Sequence, residues 1–271
     1  MKADFHGANY WALILGGSSG FGLASAHRLA RAGMHLCIVH RDRRGSMAAI
    51  EKEFDAIRAT GVSLLTLNAD ALSEEGRRST LDQFAAALRE QHPDARLRLF
   101  LHSIAFGNLK TLRPAEGYSE MLLEDEDIAQ TVYAMGTSLV SWVRDLSDRG
   151  LFAADARIIG LTSEGNRVAW RGYAAVSAAK AALEAISRSI ALEFAPQLRS
   201  NILQPGVTDT PALRLIPGGD RMLAAKASSN PMGRVTTPED VAGVVALMAS
   251  DEAAWINGAV LRVDGGEGIA S

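Results

Sequence analysis

A tyrosine and a lysine lie seven residues apart in the Ala-rich stretch from Leu161 to Glu184. Because seven residues make almost two helical turns, Tyr173 and Lys180 share one face of the helix that this stretch predicts. A lysine in that place can bind a ribose diol, and its charge lowers the pKa of a nearby phenol, which readies the tyrosine to donate a proton. On its own, the pair fits an ordinary amphipathic helix equally well, so the rest of the chain has to decide between the two interpretations.

A glycine-rich turn lies between a predicted strand and a predicted helix near the start of the chain. The apolar run from Tyr10 to Leu15 is typical of a strand that is buried on both faces of a parallel sheet. The segment GGSSGFG follows, and apolar residues then recur at helical spacing as far as Gly33. Glycines let the backbone approach a pyrophosphate, and the helix N-terminus favours the anion. We therefore predict dinucleotide contacts from Gly16, Ser18, Ser19, Gly20, Phe21 and Gly22.

The second predicted strand, from His35 to Val39, runs into the basic sequence HRDRR. In dinucleotide folds an acidic residue at this point binds the ribose 2'-hydroxyl, whereas an arginine accommodates a 2'-phosphate. Arg41 lies close to the strand end, so we predict NADPH rather than NADH. Asp42 keeps the alternative open that the arginines only solvate a loop. After the third predicted strand, Asp70 and Ala71 are expected to face the adenine, although Asp70 could equally cap the next helix.

Predicted strands and helices alternate along the whole chain. The remaining predicted strands are residues 62–68, 97–103, 157–162, 199–204 and 259–263, and the further helices are residues 46–60, 74–90 and 128–148, with a loop at 108–126. This order predicts an α/β fold, a Rossmann-type doubly wound parallel sheet of about seven strands with helices on both faces. No linker or repeat interrupts residues 1–271, so we expect a single domain. Ligands of such sheets bind beyond the carboxyl ends of the strands.

Composition and charge narrow the function classes. The net charge of -3 and the pI near 6.1 give no reason to expect a nucleic-acid partner. The single cysteine, Cys37, excludes an intramolecular disulfide and a Cys-rich metal site, and its apolar surroundings predict a core position. We expect no metal. The chain shows neither a signal-peptide pattern nor an apolar run that is long enough for a membrane span, so a cytoplasmic setting is the expectation.

Taken together, these motifs resemble the short-chain dehydrogenase/reductase family over nearly the whole chain. The resemblance rests on LGGSSGFG, HSIAF, QPGVTDT, the tail from GRVTTPED to VDGG, and the set Ser163, Tyr173 and Lys180. In the main branch of the family, the tyrosine occupies the position that Val176 holds here. The spacing Y-x6-K and the segment HSIAF are instead similar to the divergent branch, the enoyl-acyl-carrier-protein reductases. Ser163, where many of these reductases have a second tyrosine, resembles their smaller NADPH-dependent subgroup.

The resemblance implies the NADPH-dependent reduction of the 2,3 double bond of an enoyl thioester, in fatty-acid or related acyl-chain synthesis. In this reaction Tyr173 would hydrogen-bond the thioester oxygen, Lys180 would bind the nicotinamide ribose, and Ser163 would be a second donor. Further cofactor contacts are expected from strand-end residues, namely His102, Ser103, Ile104, Gly206, Val207, Thr208 and Thr210. For the two threonines, a role in a turn and helix cap explains the sequence nearly as well.

A lid and its partners follow from the segment 211–234, which mixes apolar residues with paired glycines and a proline. We expect an acyl tunnel lined by Ile216, Met222 and Leu223. The resemblance implies an acyl thioester carried by an acyl carrier protein, and a homotetramer or homodimer. Because such carriers are acidic, three basic residues of the segment are candidate docking charges, Arg214, Arg221 and Lys226.

Two other functions stay open at this point. One is a 3-oxoacyl reductase or another carbonyl reductase of the family, which the valine at position 176 disfavours. The other is a nucleotide-binding protein without turnover. Leu15, which replaces the usual threonine before the first glycine, and Ser163 keep this second alternative open.

Overall fold

The computed structural model describes residues 3–270, in which seven parallel strands form one sheet in the order β3-β2-β1-β4-β5-β6-β7. The strands are β1 (Tyr10–Leu15), β2 (His35–His40), β3 (Leu64–Asn68), β4 (Arg96–His102), β5 (Phe152–Leu161), β6 (Leu198–Pro205) and β7 (Val260–Val263). The chain order reverses between β1 and β4, so the crevice at this switch point is the expected ligand site. All seven predicted strands are confirmed, although β5 begins well before the predicted Arg157.

Helices cover both faces of the sheet. One face is covered by α1 (Gly20–Ala30), α2 (Met47–Arg58) and α8 (Pro238–Ala249), and the opposite face by α3 (Glu74–Gln91), α5 (Ser138–Asp148) and α6 (Ala174–Glu193). Two shorter helices, α4 (Asp125–Val132) and α7 (Gly219–Ser229), complete the set. Cys37 lies fully buried in the core between the sheet and its helices, as predicted. The predicted doubly wound α/β fold is therefore confirmed.

The acidic cluster EDED, predicted as the end of a loop, belongs instead to the start of α4. The side chain of Glu124 accepts from the backbone at Asp127, and the Asp127 carboxylate accepts from the Glu124 amide. Carboxylates stabilise the first turn of a helix because they satisfy free amides and face the positive end of the dipole. The helix therefore begins at Asp125, earlier than the predicted Ile128.

A π-helical turn, Tyr133–Thr137, joins α4 to α5 and brings this pair close to α6. A side chain at Gly136 would place its Cβ 2.8 Å from the carbonyl oxygen of Ala179 on α6. The glycine thus permits a backbone approach that no other residue allows, and it fixes the position of the helix that follows Tyr173.

Two buried arginines connect the sheet to the C-terminus of α8. Arg157 Nε donates to the Met248 carbonyl oxygen at 3.1 Å, and Arg98 Nε donates to that of Ala249 at 2.9 Å. Both guanidinium groups also pair with the Asp155 carboxylate. These bonds satisfy carbonyls that the end of a helix leaves without partners.

Within residues 3–270, no helix is both long and apolar enough to cross a membrane.

Candidate active site

The carboxyl ends of the strands open into two adjoining cavities. We call the first the outer crevice; it follows β1 to β4 and is lined by Gly16, Ser18, Ser19, Gly20, Phe21, Arg41, Asp70, Ala71, Ser103 and Ile104, among others. We call the second the inner cavity; it follows β5 and β6 and is lined by Ser163, Tyr173, Val176, Lys180, Gly206, Val207 and Thr208, among others. Phe21, Ser103 and Ile104 line both cavities. The structure therefore brings nearly all predicted site residues to one edge of the sheet.

The glycine-rich turn forms the floor of the outer crevice. Gly16 has φ +79°, and a Cβ there would lie 2.4 Å from the Ser103 carbonyl oxygen. Gly22 packs equally closely, because its Cβ would lie 2.2 Å from the Gly16 carbonyl oxygen. Within residues 3–270, the side chain of Ser19 does not cap α1, so the amides of the first turn face the crevice without it. This floor fits a pyrophosphate at a helix N-terminus.

Arg41 and Asp70 form an ion pair in the outer crevice. Arg41 Nη1 lies 3.0 Å from Asp70 Oδ2, and the guanidinium lies 5.3 Å from the ring centroid of Phe106. Asp42 instead places Oδ2 2.9 Å from His40 Nδ1. A cation thus lies at the adenosine end of the crevice, where a 2'-phosphate would pair with it.

Asp70 does not cap the following helix, which settles one alternative that the sequence leaves open. The cap of α3 is Ser73, whose hydroxyl accepts from the Gly76 amide at 3.0 Å. The Asp70 carboxylate accepts from the Leu72 amide and faces Arg41.

Tyr173 lies immediately before α6 and projects into the inner cavity. Its hydroxyl lies 3.4 Å from Ser163 Oγ, and the residue is only 9% exposed. Gly165 makes this position possible, because a Cβ there would lie 2.4 Å from Tyr173 Cε1. Burial raises the pKa of Tyr173, and the hydrogen bond with Ser163 opposes the rise only in part. The expected lowering of this pKa is therefore wrong, because the loss of water around the buried phenol dominates.

Lys180 is buried behind the tyrosine. Its ammonium donates to the Leu161 carbonyl oxygen at 2.8 Å. Burial lowers its pKa to about 8, and the neighbouring Glu184 carboxylate opposes this effect. Glu184 is itself held by Thr162 Oγ1 at 2.6 Å. Strand β5 and helix α6 thus fix the lysine in one place, on the cavity side of the sheet.

The side chain of His102 does not reach either cavity, although the sequence predicts it as a cofactor contact. Its side chain is 2% exposed, belongs to neither cavity lining, and its Nε2 lies 2.9 Å from Ser138 Oγ. Burial, followed by the charge of Lys180, lowers the pKa of His102 to about 3. The neutral imidazole therefore packs beneath the cavities, because alternation along β4 points it into the helix layer. Its neighbours Ser103 and Ile104 line both cavities, as predicted.

The loop after β6 satisfies its own polar groups. Thr208 Oγ1 donates to the Gly206 carbonyl oxygen at 2.9 Å, and Thr210 Oγ1 accepts from the Leu213 amide at 3.2 Å. Both threonines therefore shape the turn, which is the alternative that the sequence allows. The Val207 amide donates to both carboxylate oxygens of Glu267, at 3.0 and 3.2 Å.

Glu267 is a site residue that sequence reasoning misses. It is 4% exposed and lines the inner cavity. Burial raises the pKa of its carboxyl, while the Val207 amide and Lys226 act in the opposite direction. The available signal is its place directly after Asp264-Gly265-Gly266, at the carboxyl end of β7, where a sheet of this kind binds ligands.

The predicted lid, residues 211–234, lies over the inner cavity and contains α7, a helix that the sequence pattern does not reveal. Ile216 and Met222 line the cavity as predicted, whereas Leu223 does not. Lys226 lies 3.5 Å from Glu164 Oε2 and 3.7 Å from Glu267 Oε1. The lid lysine thus connects α7 with two carboxylates in the cavity wall.

These contacts alter the interpretation of the three candidate docking charges. Arg214 forms a paired contact with the Asp209 carboxylate at 2.8 and 2.9 Å. Lys226 faces the carboxylates of Glu164 and Glu267, two residues of the cavity wall. Arg221 is exposed, and of the three it alone has no ion-pair partner within the described part of the chain. The lid therefore offers a weaker positive surface than its sequence indicates.

The chain is similar to known oxidoreductases over most of its length. Residues 16–267 match the family described as enoyl-(acyl carrier protein) reductase. The peroxisomal 2,4-dienoyl-CoA reductase of Mus musculus is 31% identical over 94% of this chain and 82% of its own length. The cis-4-hydroxycyclohexanecarboxylate dehydrogenase of Sinomonas cyclohexanicum is 30% identical over 94% of this chain and 95% of its own.

Solved structures show the same fold. An enoyl-acyl-carrier-protein reductase of Anaplasma phagocytophilum in complex with NAD superposes with a TM-score of 0.80 at 19% identity, covering 100% of this chain and 95% of that one. A short-chain dehydrogenase of Burkholderia cenocepacia in complex with NADP gives 0.78 at 25% identity, covering 99% and 100%. The family match covers most of the chain, and the outer crevice, Tyr173 and Lys180 lie together at the carboxyl ends of the strands. The chain therefore belongs to the short-chain dehydrogenase/reductase family of oxidoreductases.

Proposed function

We propose that the protein reduces the 2,3 double bond of an enoyl thioester with NADPH. The observation that carries this proposal is the position of the buried Tyr173 phenol, one helical turn before Val176, with both residues in the wall of the inner cavity. In an enoyl thioester, the oxygen that develops charge lies farther from the hydride-accepting carbon than the oxygen of a ketone does. A tyrosine that is set back by one turn suits the more distant oxygen.

The outer crevice would hold the cofactor. Gly16 and Gly22 leave room for the phosphates at the start of α1, and Arg41 supports NADPH because it can exchange Asp70 for a 2'-phosphate. When bound, the nicotinamide supplies the hydride for the β-carbon of the substrate. The enolate that results would take up a proton from solvent at its α-carbon, which completes the saturated thioester.

Tyr173 stabilises the charge on the thioester oxygen. Its raised pKa keeps the phenol protonated at neutral pH, so that it donates a hydrogen bond where negative charge develops. Ser163, 3.4 Å from the phenol, orients this hydroxyl and offers a second one. Lys180 holds an ammonium next to the cofactor ribose below about pH 8.

The inner cavity suits an apolar acyl chain. Its wall includes Leu109, Met135, Leu213, Ile216 and Met222, and the lid helix α7 covers it. Such a wall excludes water, which strengthens the hydrogen bond from the buried phenol. The cavity volume of about 200 Å³ accommodates a short chain before the lid moves.

NADPH consumption tests the proposal. We expect turnover with a crotonyl thioester and none with an acetoacetyl thioester, and we expect Tyr173→Phe to lose at least about a hundredfold in kcat. Tyr10→Phe is the matched control, because Tyr10 is the first residue of β1 and so lies at the amino ends of the strands, away from both cavities. Turnover of the oxo substrate alone would assign a carbonyl reductase, and NADPH binding without turnover of either would assign a non-catalytic member of the family.

A further inference from the structure

A third groove lies directly beside the inner cavity. Its two walls are residues 110–115, from the loop after β4, and residues 169–172 with Ala174, from the loop before α6 and the first residue of that helix. Trp170 belongs to this groove and to the inner cavity. A ligand whose reacting end lies in the inner cavity can therefore continue past this indole into the groove.

The groove is positively charged. Arg113 and Arg171, one from each wall, are exposed and form no ion pair within residues 3–270. Lys110 adds a third cation, which Asp127 holds at 2.7 Å. Thr111 is 3% exposed, and its hydroxyl has no hydrogen-bond partner in the described chain. Two free guanidinium groups and a buried hydroxyl without a partner indicate a ligand that accepts hydrogen bonds.

The walls of the groove are tied to each other. Gly172 has φ +73°, and a Cβ there would lie 2.8 Å from the Leu109 carbonyl oxygen. Tyr118 Oη donates to the Arg171 carbonyl oxygen at 3.2 Å, which joins the two loops again. The backbone at Arg171 is thus fixed before any ligand arrives, so that less ordering accompanies binding.

We propose that this groove binds the phosphate groups of a phosphopantetheine thioester, and that the thioester is an acyl-coenzyme A. The proposal rests on the enoyl reduction proposed above, because it places the acyl end in the inner cavity. A guanidinium group can donate two parallel hydrogen bonds to the oxygens of one phosphate. The two arginines line a groove that begins at Trp170, where the apolar wall of the inner cavity ends.

The charges around the groove favour coenzyme A over an acidic carrier protein. The segment that leads from the groove to α4 carries exposed carboxylates, namely Glu116, Glu120, Glu124, Asp125 and Glu126. These would repel an acidic protein surface, whereas a slender phosphate-bearing arm reaches the arginines without covering them. The lid also offers only a weak positive surface to a carrier, since Arg214 and Lys226 already have carboxylate partners.

The test compares Arg113→Gln/Arg171→Gln with Arg89→Gln/Arg144→Gln, a control that removes the same charge from exposed positions on α3 and α5, outside the groove and the lid. In the groove variant we expect the KM for crotonyl-CoA to rise at least about tenfold with kcat unchanged. The KM for the crotonyl thioester of N-acetylcysteamine, which has no phosphate, should stay the same. Equal changes for both substrates, or an equal effect of the control variant, would overturn the proposal.

Calorimetry with coenzyme A separates this proposal from the enoyl reduction. We expect the affinity of the full chain for coenzyme A to fall at least about tenfold in the groove variant, whether or not any enoyl thioester is reduced. Unchanged affinity overturns the groove even if the chain is an active enoyl reductase. If the groove variant loses activity with an acyl carrier protein thioester but not with acyl-CoA, the choice of coenzyme A is wrong.

Discussion

Replacement of Lys180 by methionine should stabilise the fold while it abolishes the reaction. The ammonium lies in the interior, where its single hydrogen bond within the described chain goes to the Leu161 carbonyl oxygen at 2.8 Å. Burial lowers its pKa from 10.5 to about 8, so the folded protein holds this proton less tightly than the unfolded chain does. A methionine has a similar volume and carries no charge to bury.

The size of the effect follows from the change in pKa. At about 1.4 kcal/mol per pH unit, a fall from 10.5 to about 8 makes the buried charge unfavourable by about 3 kcal/mol. Methionine leaves the Leu161 carbonyl without a donor, which costs about 1–3 kcal/mol. At pH 7 we therefore expect Lys180→Met to gain up to about 2 kcal/mol in the free energy of unfolding.

The sign of the pH dependence is fixed by linkage. Between pH 8 and 10.5 the unfolded chain binds the proton and the folded protein does not, so the wild type gains stability as the pH rises through this window. Below about pH 8 Lys180 is charged in the folded and the unfolded protein, so the full cost of burying its charge lowers the stability of the wild type. Relative to the wild type, the methionine variant should therefore lose most of about 3 kcal/mol between pH 7 and 10.

Urea unfolding of both proteins at pH 7 and pH 10 measures this difference. The exposed residue Lys52 on α2 supplies the matched control, because Lys52→Met should keep a constant difference from the wild type at the two pH values. If the difference between Lys180→Met and the wild type is also independent of pH, the lysine titrates normally and the reasoning from its burial is refuted.

Three further predictions concern the crevice, the sheet and the lid. Gly16→Ala should weaken NADPH binding at least about tenfold in a fluorescence titration, because the added Cβ would lie 2.4 Å from the Ser103 carbonyl oxygen. Gly45→Ala is the control and should leave this affinity unchanged, because a Cβ at Gly45 would meet no atom within 4 Å. Arg157→Met should lower the free energy of unfolding in urea by about 2–4 kcal/mol, because the Met248 and Ser250 carbonyls lose their buried donor, and equal stability would argue against this cap. Lys226→Met should raise the KM for the enoyl thioester and speed proteolytic cleavage within residues 213–229, because α7 loses its contacts with the carboxylates of Glu164 and Glu267. If Lys226→Met is cleaved no faster than Arg221→Met, Lys226 does not hold the lid.

The strands and the glycine-rich turn can be predicted because their signals are local. Each buried parallel strand is a short apolar run, and the turn from Gly16 to Gly22 follows the first of them directly. Close packing at Gly16 and Gly22 explains why no larger residue occupies either position. Once the strands are placed, their common carboxyl edge brings the site residues together, without any knowledge of side-chain contacts.

The contacts of Glu267 and Lys226 depend on tertiary structure and leave no local pattern. The two residues lie far apart in sequence and meet only because α7 folds back over the end of β7. For the same reason, the sequence indicates a free lysine on the lid where the structure has one that faces two carboxylates. Charges that are counted along a segment therefore overstate the positive surface that a partner would meet.

Tyr173 shows how burial can reverse a prediction that is correct in its geometry. The spacing to Lys180 correctly predicts that both side chains reach one cavity, yet the phenol lies so deep that burial outweighs its hydrogen bond with Ser163 and raises its pKa. A phenol of this kind is a poor base and a good hydrogen-bond donor. In the reduction proposed above, this donor would hydrogen-bond the oxygen on which the enolate charge develops. The raised pKa of the buried tyrosine thus agrees with the role of hydrogen-bond donor that its position indicates.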